Sequence, residues 1–191
     1  MGREFELKFR TDAEVLEKIR EKYQDFTTIS METTYYDTFD LKLAFHHWTL
    51  RRRMENGVSV CTFKRPREDG SRGEWEVEAG SIMEGIIKLC QNGADPELMR
   101  ITAGGLIETC GARFTRLAKQ MEVPGGTVEL ALDQGVLIGK GKELPFWEVE
   151  VELKEGSDEV AADFAKSLAE EFQLVAEPKS KFVRAMTLAM T

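Results

Sequence analysis

Glu4-Phe5-Glu6-Leu7-Lys8-Phe9 alternates charged and apolar side chains, so as a β-strand it sets two carboxylates and an ammonium on one face and apolar groups on the other. The pattern recurs at Arg51 and Arg53, at Lys64, at Glu74 and Glu76, and at Glu148, Glu150 and Glu152. An antiparallel sheet with one solvated face also alternates, but solvent faces mix Thr, Ser, Lys and Gln. Here the polar positions are almost entirely Glu, Arg and Lys, of both signs, and the opposite face is apolar enough to need covering. A closed sheet with a charged lumen satisfies both requirements and leaves no free edge. Such a lumen suits a polyanion and its metals.

The 191 residues, 42% of them hydrophobic, carry no low-complexity segment or solenoid repeat and predict one domain over 1–191. A net charge of -8 and a pI near 5.0 argue against a nucleic-acid footprint, which needs a clustered basic surface. Any bound anion must therefore sit in a local basic pocket. Cys61, Cys90 and Cys110 are odd in number and lack Cys-x-x-Cys spacing, which predicts neither a disulfide framework nor a zinc site. With no leader-like apolar region after Met1 and no stretch near the ~20 apolar residues that span a bilayer, the expectation is a soluble cytoplasmic protein.

The pattern along the chain is mixed. Thr11-Asp-Ala-Glu14 reads as a capping box opening a helix to about Tyr23. Strands are expected at 29–38, across 48–64 with a hairpin at Glu55-Asn56-Gly57, and at 72–79. Ser81-Ile-Met-Glu84 opens a second helix that stops at Gly93, and Asp95-Pro-Glu-Leu opens a shorter one. Strands return at 112–122, 127–133, 136–140 and 146–154, with a turn at Pro124-Gly125-Gly126. Ser157 caps a helix to about Phe172, and Ser180 starts a last one. The class is α+β with an antiparallel barrel.

The order of these motifs resembles the CYTH, or triphosphate tunnel metalloenzyme, superfamily, and within it bacterial inorganic triphosphatases. Its Glu-x-Glu-x-Lys signature stands at Glu4, Glu6 and Lys8. Tyr35-Tyr-Asp-Thr38, Leu50-Arg-Arg-Arg53, Thr62-x-Lys64, Arg72-x-Glu74-x-Glu76, Phe114-x-Arg116, Glu129-Leu-Ala-Leu-Asp133-Gln-Gly, Glu148-x-Glu150-x-Glu152 and Ser180-Lys181-x-x-Arg184 follow in the family's order. The usual Gly after that Arg is Ala185 here, and the carboxylate at Glu76 varies in the group. The resemblance implies an eight-stranded antiparallel β-tunnel that binds a small-molecule triphosphate with Mg²⁺ or Mn²⁺. Lys8, Arg51, Arg53, Lys64, Arg72, Arg116 and Lys181 would hold the substrate, since guanidinium forks suit bidentate phosphate contact. Glu4, Glu6, Glu74, Glu76, Asp133, Glu148, Glu150 and Glu152 are the expected metal ligands, hard cations preferring oxygen. Glu4, Glu6, Lys8 and Glu150 are the expected catalytic groups.

By alternation Arg52 and Arg113 fall outside the lumen, and Glu129 is open between lumen and exterior. Asp133 before Gln-Gly also reads as a turn residue, and His46-His47 as solvated histidines rather than a metal site. An inorganic triphosphatase, a class IV adenylate cyclase or organic triphosphatase, and a non-catalytic polyphosphate binder share this scaffold. A binder gains nothing from opposed carboxylates that repel its ligand. Trp48, Trp75 and Trp147 should all point away from the lumen, which leaves no indole platform for a base and modestly favours inorganic triphosphate, with Tyr35, Tyr36 or a loop as the alternative platform. A homodimer remains open.

Overall fold

The computed structural model describes residues 2–191, organised around one curled antiparallel sheet, a half-barrel in outline, with helices on its outer side. In chain order the elements are β1 (Gly2–Glu4), β2 (Glu6–Arg10), α1 (Ala13–Tyr23), β3 (Thr27–Asp37), α2 (Lys42–Phe45), β4 (Thr49–Glu55), β5 (Val58–Pro66) and β6 (Arg72–Glu78). Then come α3 (Ile82–Gln91), α4 (Glu97–Thr102), β7 (Ile107–Val123), β8 (Gly126–Gly139), β9 (Lys142–Glu155), α5 (Asp158–Phe172), β10 (Val175–Ala176) and α6 (Lys181–Met190). The strand order is β1-β6-β5-β4-β3-β7-β8-β9-β2-β10. Ten strands stand where eight were expected, because the first divides at Phe5 and β10 adds a short pairing. The division brings the two sides of the sheet together through one stretch of chain: Glu4 lies opposite Arg72 of β6, while Lys8 lies opposite Glu150 of β9.

The apolar face of the sheet is covered in two places. Phe9, Val128, Leu130, Val149 and Val151 pack against Leu16 and Ile19 of α1 and Val160, Ala165 and Leu168 of α5. Leu50, Cys61, Phe63 and Trp75 pack against Ile86 and Leu89 of α3 and Leu98 and Ile101 of α4. Each such side chain, fully buried, contributes about 1.5–3 kcal/mol. Gly85 of α3 brings helix and sheet this close, since a Cβ there would fall 2.5 Å from the Cys61 sulfur.

The third cluster lies on the concave side. Tyr35, Ala112, Phe114, Leu137 and Phe146 meet Phe182, Ala185, Met186 and Ala189 of α6, so this helix packs inside the curl and fills one end of it. Gly139 permits the approach: a Cβ there would sit 2.5 Å from the Ala189 backbone nitrogen and 2.7 Å from the Ala185 carbonyl oxygen.

Several boundaries differ from expectation. The N-cap of α1 is Asp12, whose carboxylate accepts from the Val15 amide at 2.9 Å, and not Thr11. β8 runs unbroken where two strands, 127–133 and 136–140, were expected; Asp133-Gln-Gly, for which a turn was the alternative reading, is mid-strand, and Gly135 serves a close approach to β7. α2 and β10 had no sequence signal. The Asn56-Gly57 turn has both φ values positive, 49° and 84°, as a two-residue hairpin requires. Arg52 turns to Ser59 and Arg113 to Glu143, both off the concave face as alternation predicts, and His46 meets Phe45 edge-on and lies tilted against Trp48.

Candidate active site

The concave face encloses a cavity of about 670 Å³. Glu4, Glu6 and Lys8 come to its wall from β1 and β2, Arg51 and Arg53 from β4, and Lys64 from β5. Arg72, Glu74 and Glu76 come from β6, Arg116 from β7, Glu150 and Glu152 from β9, and Lys181 from α6. The period-2 register produces this convergence, because each pair two residues apart shares a face. Glu129, left open by the sequence, also lines the wall.

The cations fall into two groups. Lys64 is bound to both oxygens of Glu4 at 2.7 Å and lies 3.7 Å from Glu74. Arg116 grips Asp133 with Nε at 2.8 Å and Nη2 at 2.7 Å, and reaches Glu150 at 2.6 Å. Arg51 and Arg53, by contrast, form no ion pair among the described residues. Arg53 is only 5% exposed and uses Nε on the Thr33 hydroxyl at 2.7 Å; the Nε of Arg51 is buried with no hydrogen-bond partner. Burial, with Arg51 and Arg116 nearby, lowers the Arg53 pKa to about 10. Burial disfavours both charges; Glu74, Glu4 and Glu76 near Arg51 outweigh it there and raise its pKa, whereas Arg53 keeps a desolvation cost that a bound anion would offset.

The carboxylates divide similarly. Glu4 titrates below its usual range because Lys64 and Arg51 outweigh burial. Glu6 has only Lys8, at 3.9 Å. It stands directly opposite Glu152, which in turn stands opposite Glu129, and like charges so placed repel. Burial, then Glu150 and Glu4, raise the Glu6 pKa to about 7. An under-compensated carboxylate beside others that converge on one cavity fits a hard divalent cation.

Asp133 and Glu148, expected as metal ligands, do not line the cavity. Both are fully buried, under α6, and with Glu150 they form a tight acidic triad. The Lys181 ammonium occupies the centre of that triad, 2.8 Å from Asp133, 2.5 Å from Glu148 and 2.6 Å from Glu150. Arg184 closes the far side on Glu148. The triad is thus neutralised by protein cations, and Asp133 and Glu148 hold Lys181 and Arg116 rather than facing the cavity. Asp133, Glu150 and Glu148 raise the Lys181 pKa against the opposing effect of burial, while Arg116 and Lys181 hold Glu150 well below its usual range.

Sequence reasoning passed over Thr49, Glu55 and Lys154, which also line the wall and share parity with the residues it chose, and Tyr35 of β3 lines it too. It assigned no role to Arg184 or Phe114, whose signal lay only in their motifs. Trp48 and Trp75 pack in one outer cluster and Trp147 in the other, but Trp75, expected to point away from the lumen, also contributes to the cavity lining.

A family model for the CYTH domain matches residues 2–186, and the chain belongs to the CYTH family. Among solved structures it is similar to a Hippeastrum protein described as a candidate adenylyl cyclase with a dominant triphosphatase activity. That match has a TM-score of 0.67 and 20% identity over 96% of this chain and 95% of that one. A candidate adenylate cyclase from Bacillus halodurans matches with a TM-score of 0.65 and 19% identity, covering 94% and 96%. A Pyrococcus horikoshii protein matches with a TM-score of 0.63 and 23% identity, covering 98% and 99%.

Proposed function

We propose that the chain is a divalent-metal-dependent hydrolase that cleaves inorganic triphosphate to pyrophosphate and orthophosphate inside a closed tunnel, with Mg²⁺ or Mn²⁺ as cofactor. The observation that carries this is the pair Arg51 and Arg53, buried cations with free donors facing a wall of carboxylates. The joining of the two sides of the sheet through Gly2–Arg10 supports closure, and the Hippeastrum relative's described activity supports the reaction class.

In this reading Arg51 and Arg53 take successive phosphoryl groups, their Cα atoms about 7 Å apart at two residues' rise. Arg116 and Lys181, held from behind by Asp133 and Glu148, and Lys8, Lys64 and Arg72 complete a basic wall. Glu4, Glu6, Glu150 and Glu152 are the residues that would hold the metal, with Glu74 and Glu76 on the opposite wall. A bound divalent cation neutralises phosphate charge and lowers the pKa of an attacking water. Water attacks a terminal phosphorus, the bond from that phosphorus to the bridging oxygen breaks, and pyrophosphate departs. The water's proton passes to a carboxylate of the wall, and among Glu4, Glu6, Glu150 and Glu152 it is Glu6 that has the weakest cationic partner, Lys8 at 3.9 Å.

One observation favours a second reading, an organic triphosphate as substrate. On the β3 and β5 side the wall carries apolar groups, Ile29 and Met31 in the main cavity, and Ile29, Val58 and Val60 beside Glu55, Glu76 and Glu78 in an adjoining one of about 580 Å³. A phosphate-release panel with inorganic triphosphate, ATP and thiamine triphosphate, with and without chelator, separates the readings. Release at least tenfold more efficient from inorganic triphosphate, abolished by chelator, is the expected result. Comparable efficiency with ATP, or cyclic AMP among the products, moves the assignment to the organic branch.

A further inference from the structure

Phe114 is 4% exposed on β7, directly opposite Gly135 of β8. A Cβ at position 135 would lie 2.5 Å from Phe114 Cα and 2.2 Å from the Arg113 carbonyl oxygen, so only glycine lets the two strands seat the ring here. Three cations from three elements gather over that ring. The Lys181 ammonium of α6 lies 5.1 Å from its centroid, the Arg53 guanidinium of β4 5.4 Å and the Arg116 guanidinium of β7 5.8 Å. Phe146 meets Phe114 edge-on, with centroids 5.6 Å apart, and takes Lys181 and Arg184 on its own ring.

We propose that Phe114 is a positioning residue that holds the Arg53 guanidinium toward the substrate phosphates, while Arg116 and Lys181, which pack on the same ring, are anchored by Asp133, Glu148 and Glu150. An aromatic face attracts a cation through its quadrupole without neutralising it and without occupying its N–H donors. A carboxylate in the same place would compete with phosphate for both. Arg53 shows the consequence: among the described residues its side chain makes one hydrogen bond, from Nε to Thr33, so its terminal donors stay free while the ring and the Thr fix its place. The inference rests on the triphosphate reading for its effect on catalysis, but the holding of Arg53 does not depend on it.

The test replaces Phe114 with a series of ring-fluorinated phenylalanines, which weaken the quadrupole at nearly constant shape, and separately makes Phe114→Leu. Calorimetric titration with inorganic triphosphate and Mg²⁺ should show affinity falling stepwise with fluorine content, and roughly tenfold for Phe114→Leu. KM should rise more than kcat falls, and the thermal midpoint of the fluorinated forms should stay near that of the wild type. Affinity that is flat across the fluorinated series overturns the proposal, as does wild-type KM in a folded Phe114→Leu. If the wild-type protein binds no triphosphate, the functional reading fails instead. Crystal structures of the trifluorinated form and of Phe114→Leu then decide: a displaced Arg53 guanidinium supports the holding role, and an unmoved one overturns it.

Discussion

Glu6 is the residue at which charge compensation is least complete. Its carboxyl titrates near pH 7 in the folded metal-free chain against 4.5 when unperturbed, so the folded state keeps its proton over a range where the unfolded state loses it. The associated stability is fully present below about pH 4.5 and is lost as the pH rises to 7. Glu6→Gln should therefore unfold like wild type near pH 4.5 and be more stable above pH 7, by on the order of 1–3 kcal/mol. Urea unfolding with chelator at the two pH values checks this, and equal stability at both would remove Glu6 from this role. The metal reading adds that apparent metal affinity rises through the same window as the proton is displaced. Arg53 and Glu150 should separate binding from turnover. Arg53→Ala leaves a phosphate oxygen unpaired in a confined site and should lower kcat/KM roughly ten- to a hundredfold, mostly through KM. Glu150→Gln should lower kcat while triphosphate still binds. Steady-state kinetics beside calorimetric titration distinguishes the two, and wild-type kcat in Glu150→Gln would end the division of labour.

At the scale of elements, the strands were legible because two constraints coincide in them, a period of two and a strict charge code. The code identifies a face but not a depth along it. Glu148, Glu150 and Glu152 are equivalent by parity, yet Glu152 lines the cavity with an exposed side, Glu150 sits at its inner wall, and Glu148 is sealed beneath α6. Nothing local to the sequence says that α6 packs on the concave side. The small residues that allow it, Gly139 and Ala185, have meaning only once the two segments meet. Gly135 misled for the same reason, its partner Phe114 being far away in the chain. The docking of α6 carries a prediction. Lys181→Ala removes the ammonium from the centre of three buried carboxylates and should destabilise the protein by about 3–5 kcal/mol. Thermal or urea unfolding measures it, and a loss below about 1 kcal/mol would show that the triad does not depend on Lys181.

For the whole molecule, an acidic chain that sets Arg51 and Arg53 unpaired on one concave face gives a polyanion a local seat there, since the net charge of -8 disfavours it elsewhere. The curled sheet supplies the confinement, the outer helices cover its apolar side, and α6 fills one end. No helix among the described residues is long and apolar enough to cross a membrane. The central claim is that the unpaired guanidiniums of β4 are phosphate seats, and the direct measurement is calorimetric titration of inorganic triphosphate with Mg²⁺ into wild type and into a folded Arg51→Ala/Arg53→Ala variant. The account predicts saturable binding near one equivalent in wild type and an affinity at least roughly a hundredfold weaker in the variant. Equal affinity in the two proteins, or no binding by wild type, would contradict it.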